Sequence, residues 1–287
     1  MKLPGIIRRI GKRVVKATPI LRRHILPSAD YRVLGGIDEA RSMSASSAGW
    51  LVARTVMRQE RAYQGLITAM KAGDPRLDFK VAAEAIAATG IVHPKLLEVG
   101  CGSGYYSEVL ATLLPGRVQY TGADYSDAMI ARARARYPST TFEVADATRL
   151  PYANGAFDIL FNGVSLMHIV DYQRAIREAA RVAAQYCIFH TVPVFDDYRT
   201  IFLTKYAYGA PVAEVVFGKK ELMSLCDEAG LRLECEWACI PYDVSAVTGH
   251  HSTTETYLFS KRGKPAPPDR TRDLSAIAAT GSSSRTD

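Results

Sequence analysis

Hydrophobic and polar residues follow a helical spacing in the first third of the chain. Apolar residues recur every three to four positions over Trp50–Met70 and again over Leu77–Thr89, after which Gly90 provides a helix-ending residue. Asp74 and Pro75 separate the two stretches, since proline lacks an amide hydrogen and cannot continue a helix. The pattern therefore predicts two N-terminal helices.

Beyond these helices, short apolar runs alternate with amphipathic stretches. The apolar runs predict strands at Lys95–Val99, Gln119–Asp124, Thr141–Val144, Phe157–Phe161, Gln185–Thr191, Leu231–Trp237 and Thr254–Lys261. The amphipathic stretches predict helices at Tyr105–Leu114, Asp127–Tyr137, Leu166–Ala183 and Lys219–Ala229. Because strands that alternate with helices form parallel βαβ units, we expect an α/β fold. The expected fold has a mostly parallel seven-stranded sheet, helices on both faces and an N-terminal helical extension.

The segment after Pro193 fits neither pattern. Residues 196–217 are rich in tyrosine and phenylalanine and carry Gly209-Ala210-Pro211 in their middle. We predict that residues 193–218 form a lid over a substrate. The aromatic residues of this lid, which either wall a substrate pocket or pack as lid core, are Tyr198, Phe202, Tyr206 and Tyr208. The predicted organisation is a leader at 1–27, a helical segment at 28–76, an α/β domain at 77–262 and a disordered tail at 263–287.

The net charge of +7 comes from the leader rather than from the domain. Residues 1–27 hold eight cations and no acid, whereas the other residues hold 28 cations and 29 acids. We therefore expect no nucleic-acid binding by the fold. The leader is either a basic tail or a helix packed on the domain, and the alternatives are peripheral contact with an anionic membrane surface or an organelle transit segment. We favour the tail or packed helix, with membrane contact second.

The five cysteines do not form a recognisable framework. Their number is odd and their spacing scattered, which argues against disulfide pairing and for a reducing compartment such as the cytoplasm. Cys235 and Cys239 lack a second Cys or His pair at zinc-site spacing. His250 and His251 are adjacent, so their side chains point apart. We predict no metal site.

The sharpest local signal is the segment at residues 96–105, L-L-E-V-G-C-G-S-G-Y, an apolar strand followed by a glycine turn and a helix. Glycines allow positive φ and a close approach of the backbone to a ligand, and the helix N-terminus presents amides towards it. A dinucleotide site prefers G-x-G-x-x-G, whereas the third glycine here comes one position early. Glu98 precedes the turn, and a carboxylate there suits a cofactor with an ammonium and a sulfonium better than a diphosphate.

Two further acids follow the next two predicted strands. Asp124 lies where a carboxylate can accept hydrogen bonds from both ribose hydroxyls, as also happens in NAD sites. Asp146 lies where it can accept from an adenine amino group, while the Ala147 amide donates to the ring. Both acids could instead cap helices, although capping and ligand binding can coexist.

The ordered motifs of residues 96–168 resemble class I S-adenosylmethionine-dependent methyltransferases of the group that includes the ubiquinone and menaquinone biosynthesis enzymes. The matching pieces are L-L-E-V-G-C-G-S-G-Y-Y, G-A-D-Y-S-D-A-M-I, F-E-V-A-D-A-T-R-L-P-Y and F-D-I-L-F-N-G-V-S-L-M-H-I. The resemblance implies a Rossmann-like fold and S-adenosyl-L-methionine as cofactor. The cofactor-binding residues that it implies are Glu98, Gly100, Cys101, Gly102, Gly104, Asp124, Tyr125, Asp146, Ala147 and Asn162, with Gly163 beside Asn162 near the sulfonium.

The expected function is methyl transfer to an O, N or C nucleophile of a small molecule. Such a transfer depends mainly on alignment, and a base is needed only when the nucleophile must lose a proton. His168 is the candidate base, with packing as its alternative role, and His190 also ends near the site. Competing hypotheses are a non-catalytic S-adenosylmethionine-binding module and a nicotinamide-dependent oxidoreductase. The glycine spacing and Glu98 argue against the oxidoreductase.

Overall fold

A computed structural model describes residues 31–46, 49–51, 53–207 and 210–263. The expectations for the leader at 1–27 and for the tail beyond Gly263 lie outside these residues, as does the role of Tyr208. Within the described ranges, no helix is both long enough and apolar enough to cross a membrane.

The described helices and strands alternate through most of the chain. The helices are α1 Ile37–Ser46, α2 Ala53–Lys71, α3 Leu77–Ala88, α4 Tyr105–Leu113, α5 Asp127–Arg136, α6 Tyr172–Val182, α7 Lys219–Glu228 and the short α8 Ser245–Thr248. The strands are β1 Arg32–Val33, β2 Lys95–Val99, β3 Gln119–Asp124, β4 Thr141–Val144, β5 Phe157–Asn162, β6 Ala183–Phe195, β7 Ile201–Ala207, β8 Ala210–Gly218, β9 Leu231–Ala238 and β10 Thr253–Lys261.

Seven of these strands form the predicted sheet. Their order is β4-β3-β2-β5-β6-β10-β9, in which β4, β3, β2, β5 and β6 pair in parallel. The last two pairings, β6 with β10 and β10 with β9, are antiparallel. The mostly parallel seven-stranded sheet is therefore confirmed, and the carboxyl ends of its parallel strands meet at one edge.

Alternate residues of the strands send their side chains to opposite faces, and helices cover both faces. Leu96 and Ile159 pack in one hydrophobic core with α2, α3 and α4, whereas Leu97 and Leu160 pack in the other with α6 and α7. A smaller cluster, in which Phe142 is buried, joins α5 to β4. Burial on both sides explains why these strands are continuous apolar runs in the sequence.

The segment after Pro193, which fits neither pattern in the sequence, forms the strands β7 and β8. β7 and β8 pair antiparallel along their length, and β1 pairs with β7. The end of β8 pairs in parallel with Val194–Phe195 at the end of β6. This hairpin extends the sheet beyond the carboxyl end of β5. Its residues alternate between the main core, as Phe202 and Phe217 do, and a separate cluster that contains Leu203.

Two predicted boundaries also change. β6 continues past Pro193, which pairs with Thr254 of β10 in a stretch where neither β5 nor β8 is in register with β6. A proline is tolerated there because its missing amide leaves no ladder bond unmade on the open side. The helix predicted to begin at Leu166 begins at Tyr172, since Leu166–His168 form a separate 3-10 turn.

Candidate functional site

One cavity of about 670 Å3 opens at the carboxyl edge of the parallel strands. Its size lies within the range of small-molecule sites, and its position is the crevice where open α/β sheets bind ligands. One wall consists of the loops that follow β2, β3, β4 and β5, and we call it the loop wall. The opposite wall, the hairpin wall, comprises Tyr31, Lys205, Glu214 and Tyr242.

The glycine turn after β2 shapes the loop wall. Gly100 has φ +74°, and a Cβ atom added there would lie 2.2 Å from Ser165 Oγ. Ser165 Oγ donates in turn to the Val99 carbonyl at 2.9 Å, so the loop after β5 fills the space that a side chain at position 100 would need. Gly104 begins α4 and is needed for a different reason, because a Cβ atom would collide with the Phe142 ring. Both glycines therefore fit close packing as well as ligand approach.

Backbone amides of this turn are bonded inside the protein rather than left open for a ligand. The Gly100 and Cys101 amides donate to the Ala123 carbonyl, and the Gly104 amide donates to the Cys101 carbonyl. The Gly102 amide donates to the Asp124 carboxylate. These four amides are therefore engaged within the protein, while the expectation of amides presented by the helix N-terminus stays a prediction for the first residues of α4.

Asp124 lies at the end of β3 and lines the cavity while almost buried. Its Oδ2 accepts from the Gly102 amide at 2.9 Å and its Oδ1 from the Ser126 amide at 2.9 Å. Burial raises the pKa of Asp124 and the two amide bonds oppose the rise. Asp124 does not cap α5, because the cap is Ser126, whose hydroxyl accepts from Met129. Each carboxylate oxygen keeps a second lone pair for a ligand.

Asp146, Ala147 and Tyr125 line the same cavity. Asp146 is exposed, and its Oδ1 accepts from the amide and the hydroxyl of Thr148 in a local turn rather than at a helix start. Tyr125 is 49% exposed, and burial of the rest of the ring together with the charge of Asp124 raises its pKa to about 12. The structure thus brings together Asp124, which the sequence assigns to ribose, and Asp146 and Ala147, which it assigns to adenine.

Glu98 and Cys101, both predicted as cofactor residues, do not line the cavity. Glu98 is buried, accepts a hydrogen bond from the Tyr120 hydroxyl and lies below Gly163. Burial raises the pKa of Glu98 to about 8; the Tyr120 bond acts to lower it, and the charge of Asp124 raises it. Cys101 packs in the small core around Phe142. Any contact of Glu98 with a cofactor ammonium stays a prediction.

Asn162 likewise has a structural role in this structure. Its side-chain oxygen accepts from the Leu166 amide at 2.8 Å and from the Ser165 hydroxyl at 3.1 Å. These bonds hold the 3-10 turn and explain why α6 starts later than predicted. Asn162 is buried below the cavity lining, to which its neighbours Val164 and Ser165 belong.

The candidate base His168 lines the cavity from that turn. Its Nδ1 lies 3.1 Å from the Ala213 carbonyl of β8, and its ring lies against Trp50 with 5.3 Å between centroids. A carbonyl only accepts, so Nδ1 carries the proton and Nε2 is the basic nitrogen. Burial lowers the pKa of His168, although the charge of Glu214 acts against this. The imidazole is therefore neutral at physiological pH.

His190 does not line the cavity, but its neighbour does. His190 is buried between the Tyr106 and Thr256 hydroxyls at 2.8 Å each, and burial lowers its pKa to about 3. Thr191 lines the cavity and has φ +55°, a strained conformation for a β-branched residue. The pairing of β6 with β10 shifts register here. A bulge of this kind redirects a side chain, and Thr191 is redirected next to the cavity.

The hairpin wall holds a charged cluster that the sequence analysis missed. Lys205 of β7 forms an ion pair with Glu214 of β8, which is only 1% exposed. Lys205 also donates to the Tyr31 hydroxyl at 3.1 Å, and the Tyr242 hydroxyl donates to Glu214 at 3.1 Å. Burial acts to lower the pKa of Lys205, but Glu214 and Tyr31 outweigh it and raise the pKa. Lys205 is therefore a permanent cation.

The three described aromatic residues of the predicted lid do not line the cavity. Phe202 faces the main core, Tyr198 stacks on His250 at 3.7 Å between centroids, and Tyr206 is not among the lining residues. Of the two roles left open for these rings, packing is the one observed for Phe202 and Tyr198. Two short runs rich in β-branched and aromatic residues, at 201–206 and 212–217, were the signal that could have identified the strands.

Comparison with known proteins identifies the part of the chain that carries the loop wall. Residues 97–189 match the model of a methyltransferase domain family. A 27-O-demethylrifamycin SV methyltransferase of Amycolatopsis mediterranei is 38% identical over 94 residues, 31% of this chain and 34% of that protein. A demethylmenaquinone methyltransferase of Shouchella clausii is 26% identical over 133 residues, 43% of this chain and 57% of that protein.

Coverage limits these similarities to the domain. The chain spans about a third of the length of several curated relatives that it matches. The crystal structure of the [4+2]-cyclase SpnF superimposes with a TM-score of 0.50 at 18% identity, over 64% of this chain and 81% of that chain. That likeness supports the fold only. Residues 97–189 are thus similar to a methyltransferase domain and to curated S-adenosylmethionine-dependent methyltransferases.

Proposed function

We propose that this protein transfers a methyl group from S-adenosylmethionine to a small-molecule acceptor. The observation that carries the proposal is a single cavity that joins the loop wall, with Asp124 and Asp146, to the hairpin wall, with Lys205 and Glu214. One cavity with two chemically different walls can hold a cofactor against one and an acceptor against the other. Two relatives are named for small-molecule acceptors, which agrees with this proposal.

The residues of the loop wall fit the cofactor. S-adenosylmethionine supplies a methyl group on a sulfonium and also carries an ammonium, two ribose hydroxyls and an adenine. Asp124 has lone pairs left for ribose, and Asp146 is exposed at the cavity for adenine. Among the residues that the structure describes, Gln59 Oε1 is buried without a hydrogen-bond partner, and it would lie 3.2 Å from a Cβ atom at Gly102. An orphaned amide oxygen next to the glycine turn suits an ammonium, which only donates.

His168 is the group that can accept a proton from the acceptor. Its Nδ1–H is held by the Ala213 carbonyl, so Nε2 is unprotonated while the ring lines the cavity. A hydroxyl or amine acceptor loses a proton on methylation, and a positioned base contributes roughly 100-fold or more to such a step. His168→Asn should lower kcat by about that factor while cofactor affinity changes little. An unchanged kcat across pH would leave His168 with packing alone.

Cofactor binding is the first test. Titration calorimetry of the full chain with S-adenosylmethionine should give an affinity that falls roughly 100-fold or more in Asp124→Ala, since hydrogen bonds to a charged group are lost. Asp146→Ala, at an exposed position, should lose affinity without risk to the fold. Asp127→Ala is the matched control, because Asp127 is exposed in the same segment and does not line the cavity. Equal affinities in all four proteins would contradict the assignment.

Catalysis needs a second measurement. The protein is incubated with a metabolite extract and cofactor labelled in the methyl group, and labelled products are identified by mass spectrometry. We expect a labelled small molecule that is absent with Asp124→Ala. Full cofactor binding without any labelled product would instead favour a non-catalytic binding module. A titration with NAD(P)H, followed by fluorescence, should show no binding.

A further inference from the structure

We infer that the Lys205–Glu214 pair is the subsite that selects the acceptor, and that it selects an uncharged molecule through a hydroxyl group. This inference rests on the proposed function, because it assigns the hairpin wall to the acceptor. The observation behind it is an ion pair built into a cavity wall, with one member 1% exposed and a tyrosine hydroxyl bonded to each member.

The pair is set by the register of the hairpin. Leu203 of β7 lies opposite Glu214 of β8, and Lys205 lies two residues further along the same face. Diagonal neighbours on one face of an antiparallel pair are within reach of long side chains. Four separate segments therefore converge on the cluster, since Tyr31 precedes β1 and Tyr242 lies between β9 and α8.

The cluster has hydrogen-bonding capacity left on both sides of the pair. The Lys205 ammonium has three N–H groups, of which two are directed to Glu214 and Tyr31. Its third N–H has no partner among the described residues. In the Glu214 carboxylate, one oxygen contacts Lys205 and the other accepts from Tyr242, so each oxygen has a lone pair left. A donor and an acceptor thus lie next to each other at the cavity.

Charge balance at the hairpin wall disfavours an ionic partner, and the further lining carboxylates Asp124 and Asp146 belong to the loop wall. Lys205 and Glu214 cancel each other, and His168, which also lines the cavity near them, is held neutral by burial. At the cavity edge, Arg41 is likewise paired with Asp171. A buried carboxylate or ammonium on the ligand would remain without compensation, which is costly away from water.

A hydroxyl group satisfies both halves of the pair at once. Its oxygen accepts from the Lys205 ammonium, and its hydrogen is donated to the Glu214 carboxylate. The remainder of the cavity lining includes Trp50, Ile240 and Pro241, which suit an apolar or aromatic body. The predicted acceptor is therefore an uncharged, largely apolar molecule with a hydroxyl group.

Matched bicyclic probes test the charge preference directly by binding, without turnover. The probes are 2-naphthol, naphthalene-2-carboxylate and 2-naphthylmethylammonium, titrated into the full chain and followed by calorimetry or ligand-observed NMR. We expect 2-naphthol to bind at least 10-fold more tightly than either ion. Tighter binding of either ion, or no binding of 2-naphthol by a protein that binds S-adenosylmethionine, would overturn the inference.

A paired substitution isolates the subsite from the fold. Lys205→Met combined with Glu214→Leu removes both charges together, and it should lower 2-naphthol affinity about 10-fold while S-adenosylmethionine affinity is unchanged. The control replaces Lys219 and Glu255 in the same way. They form an ion pair with 2.8 Å between Nζ and Oε2, Glu255 accepts from the Tyr257 hydroxyl, and neither residue lines the cavity.

The outcomes separate the two proposals. If S-adenosylmethionine fails to bind wild type, the proposed function fails, and the naphthol preference still decides the chemistry of the hairpin wall. If S-adenosylmethionine binds and the paired variant keeps its 2-naphthol affinity, only the subsite assignment is wrong. Loss of 2-naphthol affinity in the control pair as well would also overturn the assignment, because the effect would not be specific to the cavity.

Discussion

The loop wall and the hairpin wall of the cavity are built on different physical principles. In the loop wall, polar groups are held by backbone amides, as Asp124 is held by the amides of Gly102 and Ser126. In the hairpin wall, side chains hold one another, and the partners of the Lys205–Glu214 pair come from distant segments. The loop wall also lies within the matched family domain, whereas the hairpin lies beyond residue 189.

This difference determines what each wall tolerates. A wall shaped by backbone loops tolerates changes of its polar side chains. It does not tolerate an added Cβ atom at a glycine against which another loop packs. A wall made of paired charges tolerates changes of size but not the loss of one partner. Substitutions that add an atom to the loop wall or remove a charge from the hairpin wall test this difference.

The largest effect is expected for Gly100→Ala in the loop wall. The methyl group would lie 2.2 Å from Ser165 Oγ, and the φ of +74° adds backbone strain. Together these should lower the free energy of unfolding by about 2–5 kcal/mol and abolish cofactor binding. Urea unfolding and calorimetry measure the two quantities.

Gly116→Ala is the control for this substitution. Gly116 has a comparable φ of +65°, but nothing lies within 4 Å of an added Cβ atom. It should lose only the backbone contribution, about 1–2 kcal/mol, with cofactor affinity unchanged. Equal losses in the two variants would show that the contact with Ser165 is unimportant and that the loop wall is less rigid than proposed.

A smaller effect is expected when the hairpin wall loses one charge. Lys205→Met leaves Glu214 buried with only the Tyr242 hydroxyl bond, and it should lower the free energy of unfolding by about 2–4 kcal/mol. Adding Glu214→Leu should restore most of that stability, because a buried pair can be replaced by apolar residues at little cost. Chemical denaturation of the single and double variants measures the recovery. If the double variant were no more stable than the single one, side-chain pairing would not explain this wall.

The smallest of the three effects is the pH dependence of the free energy of unfolding that Glu98, buried beneath the loop wall, contributes. The folded-state pKa of Glu98, about 8, lies above its ordinary value, so the folded state binds a proton more tightly than the unfolded chain does. Stability from this group is therefore present at low pH and is lost as pH rises through about 8. Between about pH 6 and pH 8 the loss should reach about 2 kcal/mol relative to Glu98→Gln.

Parallel denaturation curves of wild type and Glu98→Gln provide the measurement, since other titrating groups cancel in the difference. A bound cofactor ammonium close to Glu98 would favour the ionised form, so saturating S-adenosylmethionine should reduce the pH dependence. A difference that stays constant from about pH 6 to pH 8 would mean that Glu98 is already ionised in the folded protein.

The sequence was sufficient for elements whose signals are local. The bounds of β2, β3 and β4 agree with the predicted ones, and the signal is clearest in β2, of whose five residues four are buried. Asp124 and Asp146 were placed at the cavity because carboxyl ends of parallel strands meet at one edge. The burial and hydrogen bonding of Glu98 could not be predicted from the sequence, since they depend on the Tyr120 hydroxyl, which the neighbouring strand β3 brings to its carboxylate.

The hairpin wall was missed because its information is not local. Residues 196–217 fit neither the strand nor the helix pattern, although β7 and most of β8 lie within them. The charged residues Lys205 and Glu214 interrupt two otherwise largely apolar runs at positions that line the cavity. Their pairing depends on a register between two strands, which a scan of either strand alone does not contain. Positions that break a pattern are where function is expected.

On the proposed function, the alternation of the hairpin has a consequence for how acceptor preference can change in evolution. Phe202 and Phe217 anchor one side of the ribbon in the core, while Lys205 and Glu214 are presented on the other side. Selection can therefore exchange the displayed pair for another chemistry without disturbing the anchoring rings or the cofactor cradle. Mutant libraries restricted to the cavity-lining positions of the hairpin, Lys205 and Glu214, should therefore be an efficient way to obtain variants with new acceptors.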